Sequence, residues 1–418
     1  MPRLRLRLAP QAVLPAAARI ASALALRFAL PFGVAVLSLP FLAAGCVAQP
    51  DEAEAGTAVA PFDDEDALNF IVIGDWGRAG FFNQREVARQ MAITADSIRS
   101  RFIISTGDNF YTTGVESTTD PKWERSFEDV YTQASLQTPW YVVLGNHDWQ
   151  GSARAQINYS RRSRRWRLPD HYYALEFPVD DSTEVLLVFI DTTPLGDFER
   201  EDIYNETREW DREGQLRWID STLAASDAEW KIAVGHHPII VGSARYRDNP
   251  HLLREVLPIL ERHNAQAYFA GHEHNLQHLR LPGRPLEHFV SGAGSLLRTP
   301  DPDENNVFAA RTAGFMAVSL TAETMYIQMI DERGRVRHAA NVPVRRPQAA
   351  SSQEGTPATG EAFEADEPVP AEGEGPATDA PPSTEDNDGG TRSDTEGGGT
   401  SPPPSEPPAT PPVAPGGD

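Results

Sequence analysis

Hydrophobic positions between residues 67 and 344 fall into short continuous runs, and most of these runs end at a glycine. Leu68–Gly74, Phe102–Thr106, Trp140–Leu144, Val185–Ile190, Lys231–Gly235 and Ala267–Ala270 each read as a strand buried on both faces. Amphipathic stretches lie between some of them, and Gln84–Arg99, Glu213–Ala225 and His251–Arg262 have helical spacing. Four later runs, Leu276–Leu281, Glu287–Ser291, Phe315–Leu320 and Met325–Ile330, follow one another without a helix and predict antiparallel strands. The pattern predicts an α/β protein built in layers.

Outside this region the pattern changes. Arg3, Arg5 and Arg7 precede an uncharged apolar stretch, Phe28–Ala44, which runs into Leu42-Ala43-Ala44-Gly45-Cys46. A basic start, an apolar middle and small residues at a cut point predict an export signal over 1–45. The cysteine after Ala-Gly resembles the lipobox of bacterial lipoproteins, which implies cleavage before Cys46 and its lipidation. An uncleaved membrane anchor is the alternative, although Pro31 and Pro40 interrupt a stretch already short for a span. Either way the rest of the chain is expected to be exported, periplasmic or at the cell surface. Val47 rather than Asp after Cys46 favours the outer membrane. Residues 46–66 are expected to be an acidic tether. Residues 345–418, rich in Pro, Gly, Ser and Thr, lack the apolar content for a core and are expected to be a disordered tail. The folded domain is expected over 67–344.

Charge changes the functional picture. The 418 residues carry a net −23. The first 45 residues hold five Arg and no acid, 46–66 hold seven acids and no base, and 347–418 hold fifteen acids against Arg392. The folded region is left mildly acidic, so no basic surface exists for nucleic acid. The single Cys excludes an intramolecular disulfide and a cysteine-based zinc site.

The chemistry lies where the strands stop. Gly74 is followed by Asp75, Gly107 by Asp108, Gly145 by Asn146-His147-Asp148, Gly235 by His236-His237, and Gly271 by His272-Glu273-His274. Ligand sites of such sheets lie beyond the carboxyl ends of strands. Carboxylate, amide and imidazole donors without thiolate suit Fe, Zn or Mn.

The ordered set Gly74-Asp75-Trp76-Gly77, Gly107-Asp108-Asn109-Phe110-Tyr111, Gly145-Asn146-His147-Asp148, Gly235-His236 and Gly271-His272-Glu273-His274 resembles the metallophosphoesterase superfamily. Within it the match is to purple acid phosphatases of the small tartrate-resistant type, over about residues 68–295 and including Ser291-Gly292-Ala293-Gly294. The implied fold is a four-layer αββα sandwich of mixed sheets with metals at the C-terminal strand ends. Most of the superfamily has Asp-x-His at the first motif, whereas position 77 here is Gly. The resemblance implies that Tyr111 replaces that imidazole as a phenolate on Fe(III). It further implies Asp75, Tyr111 and His274 on Fe(III), Asp108 bridging, and Asn146, His236 and His272 on a divalent Fe, Zn or Mn ion.

By the same resemblance His147 positions the phosphoryl group and protonates the leaving oxygen, Asp148 orients the His147 ring, and His251 is a second histidine near the site. His237 is expected to wall the pocket rather than to ligate. His171, His263, His278, His288 and His338 are expected on ordinary strands, helices or loops. The charged segment 197–212 resembles a family loop at the site's mouth; whether it gates the site or is a solvated loop stays open. The implied reaction is hydrolysis of phosphate monoesters, an acid phosphatase reaction, by direct attack of metal-bound hydroxide. The expected partners are small phosphorylated substrates and a membrane reached through the lipid anchor, with a monomeric catalytic domain. A phosphodiesterase, nucleotidase or pyrophosphatase with the same site stays open, as do a redox role and a non-catalytic binding role.

Overall fold

The computed structural model describes residues 5–8, 67–196, 210–242 and 249–346. Cys46, the tether 46–66, most of the expected signal, residues 197–209 of the charged segment and the tail from 347 lie outside the described residues.

In chain order the strands and α-helices are β1 (Arg5–Leu8), β2 (Leu68–Ile73), α1 (Gln84–Ser97), β3 (Phe102–Ser105), β4 (Trp140–Val142), α2 (Ala153–Tyr159), β5 (Trp166–Arg167), β6 (Tyr173–Pro178), β7 (Glu184–Phe189), α3 (Thr193–Gly196), α4 (Arg212–Ala224), β8 (Trp230–Val234), α5 (Leu257–Arg262), β9 (Ala267–Ala270), β10 (Leu276–Arg280), β11 (Glu287–Ser291), β12 (Asn306–Ala310), β13 (Gly314–Leu320), β14 (Thr324–Asp331) and β15 (Val336–Pro343). They form two mixed sheets, ordered β1-β6-β7-β8-β9-β11-β10-β12 and β15-β14-β13-β2-β3-β4-β5. Strands β2 to β5 run parallel in one sheet. In the other, β7, β8, β9 and β11 run parallel with antiparallel strands on both sides, whereas β2 to β5 have antiparallel strands on the β2 side only.

Side-chain alternation explains the layers. In β7, Val185, Leu187 and Phe189 face the core between the sheets, while Leu186 and Val188, and Ile190 just after the strand, face a second core with α4 and α5. Both faces of the strand are covered, so its sequence is a continuous apolar run. Helix α1 packs Val87, Ala88 and Met91 onto the other sheet. The α/β sandwich expectation is met.

Three details differ from the sequence reading. Helix α4 starts at Arg212 because Asp211 Oδ1 accepts from Gly214 N at 2.7 Å and caps it. The single helix expected over His251–Arg262 is a π-helical turn, Leu252–Val256, followed by α5. Pro258 has no N–H for the helical ladder there. Strands β5, β6, β12 and β15 also add to the sheets. Strand β15 alternates half-buried and exposed positions, so it carries no apolar run to read.

Within the expected export signal, Arg5–Leu8 is an edge strand antiparallel to β6, and Arg7 Nη2 lies 2.8 Å from Glu176 Oε1. No helix among the described residues is long and apolar enough to cross a membrane.

Candidate metal centre at the strand ends

The seven expected ligands come from the C-terminal ends of β2, β3 and β4 in one sheet and β8 and β9 in the other. Neither sheet supplies a complete donor set. Asp75, Asp108 and His272 stand at φ of 60°, 50° and 68°, the left-handed region that non-glycine residues enter at a cost. A backbone held in this way turns each side chain off its strand and into the cleft.

Trp76 is fully buried in an aromatic cluster with Phe110, Phe127, Tyr131, Trp140 and Trp166, and its Nε1 donates to Ser105 Oγ at 2.9 Å. This pins the turn between Asp75 and Gly77. A Cβ at position 77 would come within 1.8 Å of Asn109 O, so the β2 turn can lie against the β3 turn only with glycine there. Tyr111 N donates to Gly77 O at 2.9 Å. The missing imidazole and the added phenol are therefore one packing solution.

Tyr111 Oη lies 2.9 Å from Asp75 Oδ1, 2.8 Å from Asp108 Oδ2 and 3.0 Å from His274 Nε2. A phenol has one proton to give, yet two carboxylate oxygens and an imidazole nitrogen converge on it. Burial, then the charges of Asp108 and Asp75, push the Tyr111 pKa well above its ordinary value. Burial also opposes ionisation of Asp75, but the hydrogen bond and charge of His274 prevail and hold its pKa below the usual value. Such a crowd of buried oxygens fits a cation with a strong preference for anionic oxygen.

A second group forms beside it. Asn146 Oδ1 lies 3.1 Å from His236 Nε2 and 3.0 Å from His272 Nδ1, and the two nitrogens are 3.2 Å apart. His236 Nδ1 lies 2.8 Å from Thr106 O and donates to that carbonyl, so in the neutral ring Nε2 presents its lone pair to the site. In that form Nε2 and Asn146 Oδ1 face each other as acceptors at 3.1 Å, a contact that a cation between them relieves. The residues therefore fit a second metal ion as well. Burial lowers the His236 pKa, but Asp108 and Asp75 outweigh it and the net direction is upward. Burial, then His237 and His236, push His272 well below its ordinary value.

Asp108 connects the groups. Its Oδ2 faces Tyr111, while Oδ1 lies 3.5 Å from His236 Nε2 and accepts from His147 N at 2.8 Å. One oxygen is turned to each donor set.

His147 stands at the edge of the site. Its ring packs 4.6 Å from that of Tyr111, and Nε2 is 4.0 Å from Asp108 Oδ2. The ring is oriented through Nδ1 by the carbonyl of Thr112. This corrects the expectation for Asp148. That carboxylate is fully buried and accepts from Asn109 N at 3.0 Å, Asn109 Nδ2 at 3.0 Å, Gly145 N at 2.8 Å and Gln156 Nε2 at 2.8 Å. It ties the β3 and β4 turns together and makes no contact with the His147 ring. Burial and the nearby charge of Asp108 push its pKa up to about 7, against the pull of these N–H donors.

His251 Nδ1 lies 3.3 Å from Arg254 Nη2 and 3.9 Å from Glu255 Oε1, and its backbone N–H donates to Asn249 Oδ1 at 3.1 Å. His237 is buried beside His272, with ring centroids 4.6 Å apart, and burial with the charge of His236 lowers its pKa strongly. Of the other histidines, His278 links His338 and Glu287 at 2.9 Å each, His263 meets Asp220, and His171 lies 3.5 Å from Asp191. Arg78 went unremarked in the sequence. Its guanidinium carbon lies 3.6 Å from the centre of the Tyr111 ring, a cation–π contact on a ligand face.

Residues 68–276 match the family described as Calcineurin-like phosphoesterase. The chain is 36% identical to purple acid phosphatase 4 of Arabidopsis thaliana over 303 residues, covering 69% of this chain and 87% of that one. It belongs to the purple acid phosphatase family. A purple acid phosphatase relative from an animal, tartrate-resistant acid phosphatase type 5 of Sus scrofa, is 34% identical and covers 66% of this chain and 87% of its own. Among solved structures, GAP50, the anchor in the inner membrane complex of Plasmodium, aligns with a TM-score of 0.60 at 24% identity, over 68% of this chain and 90% of that one. That likeness shows the shared fold. As a purple acid phosphatase, this chain is a metallophosphoesterase and a phosphoric-ester hydrolase.

Proposed function

We propose that this protein is an exported, lipid-anchored acid phosphatase that hydrolyses phosphate monoesters at a dinuclear centre of Fe(III) and a divalent ion. The observation that carries the reading is the pair of donor sets sharing Asp108, one with a phenol and two carboxylates, the other with an amide and two imidazoles. Asp75, Tyr111 and His274 would hold Fe(III), and Asn146, His236 and His272 the divalent Fe, Zn or Mn ion. Two ions so placed supply Lewis-acid stabilisation of an in-line displacement at phosphorus and a nucleophile from acidified water. The protein's own groups position the substrate. His147, with Nδ1 committed to Thr112, presents Nε2 to a phosphoryl oxygen and gives a proton to the leaving oxygen. Asp148 holds the turns that carry Asp108 and Asn146 in register. The export signal and lipidation of Cys46 rest on the basic, apolar and Ala-Gly-Cys order of the first 46 residues.

The test is metal analysis, a visible spectrum and a substrate panel on the purified protein. Two metals per chain, a purple colour and a preference for monoesters over diesters, nucleotides and pyrophosphate are expected. A colourless two-metal protein, or one that prefers diesters, would refute the corresponding part. Acyl labelling that survives Cys46→Ser would refute the anchor.

A further inference from the structure

Two histidines follow one another at the end of β8, and the structure sets them in opposite tautomers. His236 donates through Nδ1 to Thr106 O, which leaves Nε2 with a lone pair for a metal. His237 is fixed by Thr192 instead. Thr192 Oγ1 accepts the backbone N–H of His236 at 3.1 Å and that of His237 at 2.9 Å. A hydroxyl has two lone pairs and one proton. Both lone pairs are used, so the proton goes to His237 Nδ1, 3.1 Å away. Nδ1 is therefore an acceptor, and the ring's own proton sits on Nε2.

That Nε2–H is buried and has no partner among the described residues. The ring is 6% exposed, and its backbone carbonyl is held by Tyr268 Oη at 2.8 Å. One nitrogen from each of His236, His237 and His272 lies within 4.8 Å of the others. The His237 ring thus stands beside the second donor set, its centroid 4.6 Å from that of His272. A ligand of a metal needs a lone pair, and this nitrogen carries a hydrogen instead. A buried donor without an acceptor is costly, so the site is completed by an acceptor that arrives with a ligand.

We propose that His237 is a substrate-binding residue that donates Nε2–H to an oxygen of the phosphoryl group, in the substrate and in the phosphate product. The inference rests on the proposed phosphatase reading. It assigns the pair His236-His237 a division of labour: one imidazole accepts a metal, and the next donates to the anion that the metal binds.

The test uses the full metal-loaded protein and three variants: His237→Phe, which keeps a ring and loses the donor; His237→Gln, whose amide N–H reaches a similar place; and Thr192→Ser, which keeps the hydroxyl. Metal content, the inhibition constant of inorganic phosphate, and KM and kcat are measured for each. His237→Phe is expected to keep both metals and weaken phosphate about tenfold. His237→Gln and Thr192→Ser are expected to stay within about threefold of the wild type. Unchanged phosphate inhibition in His237→Phe overturns the proposal. Loss of one metal ion from His237→Phe also overturns it, by making His237 a ligand. If His237→Phe does not fold, loss of phosphate affinity in His237→Gln equal to loss of the whole contact counts against the donor role. A nitrogen-15 spectrum of the zinc-loaded wild type gives an independent reading: a proton on Nε2 of His237 supports the proposal, and one on Nδ1 refutes it. Failure of the phosphatase reading shows separately, as a wild type that neither hydrolyses monoesters nor is inhibited by phosphate.

Discussion

The two donor sets differ in chemistry although they share one carboxylate. The first brings Asp75, Asp108 and Tyr111 around a single point with one imidazole, His274. The second brings an amide oxygen and two imidazoles, with Asp108 at longer range. Three potential anions favour a small, highly charged ion, while neutral nitrogen donors accept a divalent one. The side chains' own titration shows the same contrast. Burial and two carboxylates push the Tyr111 pKa up, whereas burial and neighbouring histidines push that of His272 down. A pair of unlike sites can thus be built from adjacent strand ends, with the ion selected by the donors and not by distance.

This contrast can be broken by substitution, and the largest effect is expected at the shared residue. Asp108→Ala should empty both sites and lower kcat/KM at least ~10³-fold, since several kcal/mol of charge stabilisation go with the metals. Normal metal content with retained turnover would show that Asp108 does not join the sets. His272→Ala should release the divalent ion and lower turnover by about 10³-fold, while the visible absorption of the first site persists. Loss of the colour as well would mean that the sites are not separable. Tyr111→Phe should abolish the visible band with a smaller loss, about 10²-fold, because two carboxylates and His274 remain. Arg78→Met removes the cation from the face of the Tyr111 ring; we expect the band to shift with activity kept within a few-fold, and an unmoved band would show that the contact is inert.

The smallest catalytic effect is expected outside the site, at His288. Burial pushes the pKa of this ring down to about 3, and neither nitrogen has a hydrogen-bond partner among the described residues. Its folded pKa lies below the unfolded value near 6.5. The neutral ring is therefore tolerated above pH 6.5, and stability is lost as pH falls from there toward 3. His288→Phe should leave turnover unchanged and gain about 2–3 kcal/mol relative to wild type at pH 4.5, compared with pH 7, in urea melts. An equal stability difference at both pH values would show that the ring does not titrate on unfolding.

Much of the site was legible because the ligands follow a local rule. A strand buried on both faces must read as an apolar run, and a ligand at its end must follow a turn. The predicted strand ends at β2, β3, β4, β8 and β9 bring Asp75, Asp108, Asn146, His236, His272 and His274 into the two donor sets. Strand β15 was not legible, since alternation at a half-exposed edge produces no run. The role of Asp148 was not legible either, because the four N–H groups that claim it come from residues 109, 145 and 156. The ring of His147 is set by a backbone carbonyl, which every residue possesses and no sequence pattern marks.

The sequence by itself determined the fold class, the order of the strands that carry ligands and the donor types, because these depend on local alternation and on which side chains exist. It also marked the paired change of Gly77 and Tyr111. Only the tertiary structure decided how the donors divide into two sets, that Asp108 turns one oxygen to each, and that His236 and His237 hold their protons on different nitrogens. Those outcomes depend on contacts between two sheets and on the hydrogen bonds of Thr106 and Thr192, which lie 130 and 45 positions from the rings they orient. Distances between residues so far apart in the chain are set by the packing of the sandwich, and no local pattern encodes them.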